Sequence, residues 1–189
     1  AVFRAIPGMT VISPADPLEM ALAVNEIIKY DGPVYMRTGR SETPRFLNKD
    51  HVFEIGKGQI LKNGSDITIV ACGIQTYRAL QAADELMKHN VNARVINMPT
   101  IKPIDHELLK ECSEKTSAIL VTEDHNVYGG LYGAVCESIS CTKPCLVENV
   151  SVQDTFGESG EPDELAEKYN ISSTAIFKKA LELYKRKTK

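Results

Sequence analysis

The sequence predicts an α/β protein. A three-layer domain has a mainly parallel sheet with one antiparallel strand, and a fragment of a second α/β domain precedes it. Three observations carry this. From residue 59 onward, short apolar runs alternate with segments of helical period, the pattern of a sheet with helices on both faces. The run Ile67–Cys72 is apolar almost throughout, as in a strand covered on both sides. The first 48 residues contain only strand, helix and strand, too little to cover both faces of a sheet.

Met9–Ile12 reads as the first strand. In S-P-A-D-P-L-E (13–19), Asp16 is placed to cap a helix, Pro17 suits its first turn, and Glu19 completes a capping box. The helix is expected to run to about Tyr30. Leu18, Ala21, Leu22, Val24, Ile27 and Ile28 give it a wide apolar surface, which predicts a well-buried helix. D-G-P turns the chain into a strand over Val34–Arg37. Residues 1–48 are expected to be the last piece of a larger domain whose earlier part lies outside this chain. Ile6, Val11, Leu22, Val24 and Ile28 would then belong to surfaces that the complete domain covers.

Ser41–Asp50 reads as a linker, and the second domain is taken as 49–189. Gln59–Lys62 is a short strand and Asn63-Gly64-Ser65-Asp66 a turn. A turn this tight requires that strand to run antiparallel to Ile67–Cys72 or to sit apart. A helix follows near 75–89, with Ala79, Ala82, Ala83 and Leu86 on one face. Ala93–Met98 is a strand, Pro99–Pro103 a loop, and Asp105 caps a helix to about Glu114. Ala118–Thr122 is a strand, 130–139 a helix and Pro144–Val150 the last strand. A short helix near 162–168 precedes a terminal helix with Ile176, Phe177, Ala180, Leu181 and Tyr184 on one face.

Composition narrows the function classes. The chain has 189 residues, 43% hydrophobic and 25% charged, with a net charge of −3. That balance favours neither nucleic acid nor a membrane surface, and no stretch reaches the length of a membrane span. The five cysteines show no C-x-x-C spacing. Cys136, Cys141 and Cys145 lie close together without the usual partners of a metal site. Reduced thiols in a cytoplasmic protein explain the set better than a metal does.

In open α/β sheets, ligands gather at the carboxyl ends of strands, and three stretches lie there. G-P-V-Y-M-R-T-G-R (32–40) ends an apolar strand in two cations, Arg37 and Arg40, with Gly39 allowing a tight turn between them. A guanidinium fork grips phosphate oxygens bidentately; the competing reading is a solvated strand end or an ion pair. Alternation puts Tyr35 and Arg37 on one face and Met36 on the other. In E-D-H-N-V-Y-G-G-L-Y-G (123–133), Gly130 and Gly133 match two glycines of a dinucleotide fingerprint. Tyr128 stands where the first should be, and Glu148 is a candidate ribose acid. His125 beside two carboxylates is either a proton-transfer pair or a hydrogen-bonded strand end. G-E-S-G-E-P-D-E-L (157–165) leads into a capped helix and carries no reactive chemistry. No P-loop, G-x-S-x-G or H-E-x-x-H is present.

Several ordered motifs together resemble the C-terminal part of transketolase, along essentially the whole chain. R-A-I-P-G-M-T-V-I-S-P-A-D (4–16) and G-P-V-Y-M-R-T-G-R resemble the end of the pyrimidine-binding domain of thiamin-diphosphate enzymes. G-K-G-Q-I-L-K-N-G-S-D-I-T-I-V-A-C-G (56–73) resembles the start of their C-terminal domain. R-V-I-N-M-P-T-I-K-P-I-D (94–105), V-T-E-D-H-N-V-Y-G-G-L-Y-G-A-V (121–135) and G-E-S-G-E-P-D-E-L continue it in order. Deoxyxylulose-phosphate synthases and 2-oxo-acid dehydrogenase beta subunits carry similar segments, so they are the alternatives, beside a non-catalytic nucleotide- or regulator-binding module. M-R-T-G-R and E-D-H with G-G are most similar to transketolase, including forms split into two subunits.

The resemblance implies transfer of a two-carbon ketol unit between sugar phosphates of the pentose phosphate pathway, with thiamin diphosphate and Mg in the complete enzyme. It implies that Arg40 contacts the substrate phosphate, with Arg37 a weaker candidate in support. The family's diphosphate motif G-D-G…N and its activating glutamate are absent from this sequence. The chain is therefore expected to bind no cofactor or metal and to be inactive alone. It is expected to need the missing N-terminal part or subunit, and to form a homodimer.

Overall fold

A computed structural model describes residues 1–188. The elements are α1 (Val2–Ala5), β1 (Thr10–Ile12), α2 (Pro17–Ile27), β2 (Val34–Met36), β3 (Gln59–Lys62), β4 (Ile67–Ala71) and α3 (Gln75–Lys88). They continue with β5 (Ala93–Asn97), β6 (Thr100–Lys102), α4 (His106–Thr116), β7 (Ala118–Asn126), α5 (Leu131–Cys141), β8 (Leu146–Val152), α6 (Pro162–Lys168) and α7 (Ser173–Lys187). They build two sheets, one of five strands in the order β3-β5-β4-β7-β8 and one of three in the order β2-β1-β6. In the larger sheet β5, β4, β7 and β8 run parallel and β3 antiparallel.

Strand alternation splits the core of this sheet in two. Ile67, Ile69, Ala93, Val95 and Leu120 face α3 and α7, where Ala79, Ala83, Leu86, Ile176 and Ala180 meet them. The alanines of α3 let its axis approach the strands closely. Val70, Ile96, Ile119 and Val121 face α4 and α5, against Leu109, Leu131 and Val135. The result is the expected three-layer α/β arrangement with one antiparallel strand.

Four features refine or correct the sequence reading. First, of the two placements left open for β3 it takes the second: it sits apart from β4, with β5 between them, and pairs antiparallel to β5. The turn at 63–66 therefore straddles the start of β5. Ser65 and Asp66 donate their N–H groups to the Asn92 carbonyl at 3.1 and 3.0 Å, and the Asp66 carboxylate accepts from Asn92 N–H at 2.7 Å.

Second, 99–103 is not a plain loop. Thr100–Lys102 forms β6, which adds antiparallel to β1 with Val11 opposite Lys102 and Ile12 opposite Thr100. An unpaired edge of β1 would leave buried peptide groups unsatisfied, and this stretch supplies the missing ladder. It also buries Val11, which the sequence reading had left on an uncovered surface.

Third, α2 is not well buried. Only Glu19 and Ala23 are buried within it, and Met20, Val24 and Ile28 are exposed. The helix has one sheet beneath it, where Ile12, Ala23 and Phe53 form a small cluster, and nothing packs on its outer face among the described residues. Fourth, β7 continues to Asn126, so E-D-H-N belongs to a strand, with a bulge before Asn126 regains pairing with Val152. Among the described residues no helix is long and apolar enough to cross a membrane.

Candidate functional site

In the larger sheet the strand order reverses between β4 and β7, the usual position of a ligand crevice in such folds. Here the N-terminal segment is built into that position. Gly73, just past β4, donates its N–H to the Ser13 carbonyl at 3.2 Å, and Ser13 donates to the Pro99 carbonyl at 2.7 Å. Between the segment and the sheet lies a cleft of about 250 Å³. Phe3, Ser13, Tyr35 and Arg37 line it on one side, and Cys72, Glu123, Asp124 and His125 on the other.

Alternation along β2 works as expected. Tyr35 and Arg37 face the cleft, while Val34 and Met36 pack behind them beside Ile12 and Ala23. The Tyr35 ring stacks on Phe3 with centroids 3.9 Å apart. Arg37 donates from Nη2 to Asp124 Oδ2 at 3.3 Å, both side chains being half-exposed. Arg40 lies beyond β2, exposed to solvent, and outside the cleft lining. The two arginines are thus separated: one is held by a carboxylate, and the other makes no ion pair among the described residues.

Each member of the E-D-H trio has its own partner. Glu123 is buried and accepts from Leu131 N–H at 2.7 Å and Tyr132 N–H at 3.0 Å, closing the first turn of α5. Burial pushes its carboxyl above the ordinary carboxylate range, opposed by those two N–H groups and by His125. Asp124 holds Arg37. His125 donates from Nδ1 to the Asn126 carbonyl at 2.6 Å and lies 3.9 Å from Glu123. This is a hydrogen-bonded strand end.

Gly130 is needed for it. A Cβ at that position would lie 2.1 Å from Glu123 Oε2 and 2.8 Å from His125 Nδ1. The glycines of this turn therefore serve helix capping. The candidate ribose acid Glu148 sits in mid-strand opposite Leu120 and pairs with Lys179 at 3.3 Å and with Arg186. The nucleotide reading thus loses its ribose acid.

Burial pushes the Cys72 thiol well above its usual value, and the Glu123 carboxylate adds to this. Burial thus disfavours the reactive thiolate of Cys72. All five cysteines are free. Among the described residues no group of three or more His, Cys, Asp or Glu is arranged to hold a metal. The carboxylates of the cleft are engaged by α5 and by Arg37, so neither Glu123 nor Asp124 is offered to a magnesium ion.

Sequence reasoning missed a buried polar cluster beneath α2. Asp16 caps the helix as expected, accepting from Glu19 N–H at 2.9 Å. Glu19 is fully buried. It accepts from Ala15 N–H at 2.7 Å, from Asn97 Nδ2 at 2.7 Å and from His51 Nε2 at 2.9 Å. The capping pattern was the only signal, and it says nothing of partners far along the chain.

A family model described as the transketolase C-terminal domain matches residues 56–176. A second, the transketolase pyrimidine-binding domain, matches residues 1–45. The chain is 38% identical over 187 residues to the 6-deoxy-6-sulfo-D-fructose transketolase subunit SqwH of Clostridium sp. (strain MSTE9), covering 99% of this chain and 58% of that protein. It is 38% identical over 191 residues to the putative transketolase C-terminal section of Methanocaldococcus jannaschii, covering 98% and 59%. Among solved structures it is similar to one titled "Split gene transketolase, inactive beta4 tetramer". The TM-score is 0.92 at 43% identity, covering 97% of this chain and 61% of that one. The chain thus spans a little over half the length of these relatives.

Proposed function

The chain belongs to the transketolase family, and from that membership we propose that it is C-terminal sequence of an enzyme moving a two-carbon ketol unit between sugar phosphates. The observation that carries the reading is Arg40. It is exposed on the loop after β2, and Arg37 beside it is held by Asp124. A guanidinium without a carboxylate partner is available to grip an oxyanion with two parallel hydrogen bonds. Arg37 supports the strand end. Pentose phosphates are the proposed substrates. A sulfonate has similar oxygen geometry, so the relative named for a sulfo-sugar is compatible with the same fork.

In this reading thiamin diphosphate and Mg are held by the complementary N-terminal part, and this chain contributes the substrate-phosphate edge. The test is calorimetric titration of the cofactor and magnesium into the chain alone and into the chain paired with that part. Binding and ketol transfer from a ketose phosphate are expected only in the pair. Micromolar binding to the chain alone would overturn the division of labour, and failure of the pair to use any sugar phosphate would overturn the substrate class.

We also propose that the chain associates with a second copy. The free edge of β2 and the exposed Met20, Val24 and Ile28 form an uncovered apolar face, rare on a monomer. The related structure whose title names a beta4 tetramer supports this. Light scattering over a concentration series is expected to give a dimer or larger. A monomer mass at high concentration, with residues 1–48 resisting protease, would refute it.

A further inference from the structure

We infer that Asp16 is a positioning residue for the loop that carries Arg40, a role that rests on the phosphate-contact reading of Arg40. Residues 38–42, 44 and 45 are exposed, and only Thr43 is half-buried, so the loop has no core of its own. Its position is decided at its two ends. At the near end, Arg37 N–H donates to the Ile12 carbonyl at 2.8 Å. At the far end, Phe46 and Leu47 both donate their N–H groups to one oxygen, Asp16 Oδ2, at 3.1 and 3.0 Å. Both anchors lie on the same short stretch, Ile12 to Asp16.

The other oxygen of the same carboxylate, Oδ1, caps α2. Asp16 and Leu47 are both buried, so water does not compete for these bonds. Just beyond, His51 is tied to the buried Glu19, and the Phe46 ring packs against Tyr77 of α3. A short loop with both ends fixed samples far fewer conformations than one fixed at a single end. A cation that must meet a phosphate within a few tenths of an ångström depends on that restriction.

Asp16→Asn separates the two jobs of the carboxylate. The amide oxygen still caps α2, because Asn caps about as well as Asp. Its NH₂ then faces the two N–H donors of Phe46 and Leu47 and cannot accept from them. In the assembled enzyme, kcat/KM for a ketose phosphate is expected to fall about fivefold to tenfold, mainly through KM. Hydroxypyruvate, which carries no phosphate, is expected to change by less than about twofold. Amide hydrogen exchange at Phe46 and Leu47 is expected to accelerate while the amides of α2 keep their protection.

Asp16→Ser, which keeps a capping oxygen and lacks the second, is expected to give the same pattern and covers the case in which the asparagine variant folds poorly. Equal losses for both substrates, or faster exchange at Phe46 and Leu47 with phosphate preference unchanged, would overturn the role. Arg40→Ala run in parallel separates the layers. If it abolishes phosphate preference and Asp16→Asn does not, only the positioning role fails. If Arg40→Ala leaves the preference intact, the reading of Arg40 fails and this role with it.

Discussion

Arg40→Ala in the assembled enzyme is expected to lower kcat/KM for ketose phosphates by about 2–4 kcal/mol of transition-state stabilisation, a loss of about thirty- to several-hundred-fold. The reasoning begins with exposure. Arg40 is solvated, so the free enzyme loses little when the side chain is removed, and folding stability is expected to stay within about 0.5 kcal/mol. In the complex, a phosphate left without its fork loses charge-assisted bonds that water replaces poorly in a closed site. Hydroxypyruvate makes no such contact and is expected to be affected far less. Arg37→Ala offers the contrast. Its partner Asp124 is half-exposed at 3.3 Å, and such pairs contribute about 1 kcal/mol or less. Steady-state kinetics with the two donors checks this. Equal losses on both would make Arg40 a structural residue.

Gly64→Ala is expected to destabilise the chain by about 3 kcal/mol. A Cβ at Gly64 would lie 2.3 Å from the Ala93 carbonyl carbon, 2.4 Å from Arg94 N and 2.6 Å from the Ala93 carbonyl oxygen. All three are backbone atoms of β5, a strand paired on both sides, so none can swing aside as a side-chain tip would. Relief requires the turn to lift from the start of β5. That breaks the bonds from Ser65 and Asp66 to Asn92 and loosens β3. A melting temperature about 6–12 °C lower is expected. Gly157→Ala is the control, since nothing lies within 4 Å of a Cβ there. A Gly64→Ala chain that melts with the parent would mean the turn does not sit over β5.

The same glycine shows where reading along the chain stops. Asn63-Gly64-Ser65-Asp66 identifies a turn by its residue types, and a turn is present. Its job differs from that of a hairpin, because β5, which begins well along the chain, inserts between the two strands the turn joins. Local chemistry reports the bend, and the occupant of the space inside it comes from elsewhere. The segment at 99–103 fails for a related reason. Its prolines argue for a loop, and only the vacant edge of β1 makes Thr100–Lys102 a strand.

The apolar run Ile67–Cys72, the alanine face of α3 and the face of α7 are legible because a buried strand or helix writes its period into the residues that enter the core. The capping role of Asp16 is legible because a cap is satisfied within its own turn. So is the facing of Tyr35 and Arg37 away from Met36, since alternation needs no partner. By itself, then, the sequence determined the α/β class, the caps at Asp16 and Asp105, the two core faces of the larger sheet and, through motif order, the family, whereas α6, expected to be capped, has no side-chain cap.

Tertiary structure alone decided which arginine is held and which makes no ion pair among the described residues, because Asp124 lies 87 positions from Arg37. It also decided that Glu123 closes α5, that Glu19 is buried under three donors, and that Asp16 fixes the far end of the Arg40 loop. These are pairings of single polar groups across long separations. Each is set by where two packed elements happen to meet, and such a meeting leaves no periodic trace in the sequence.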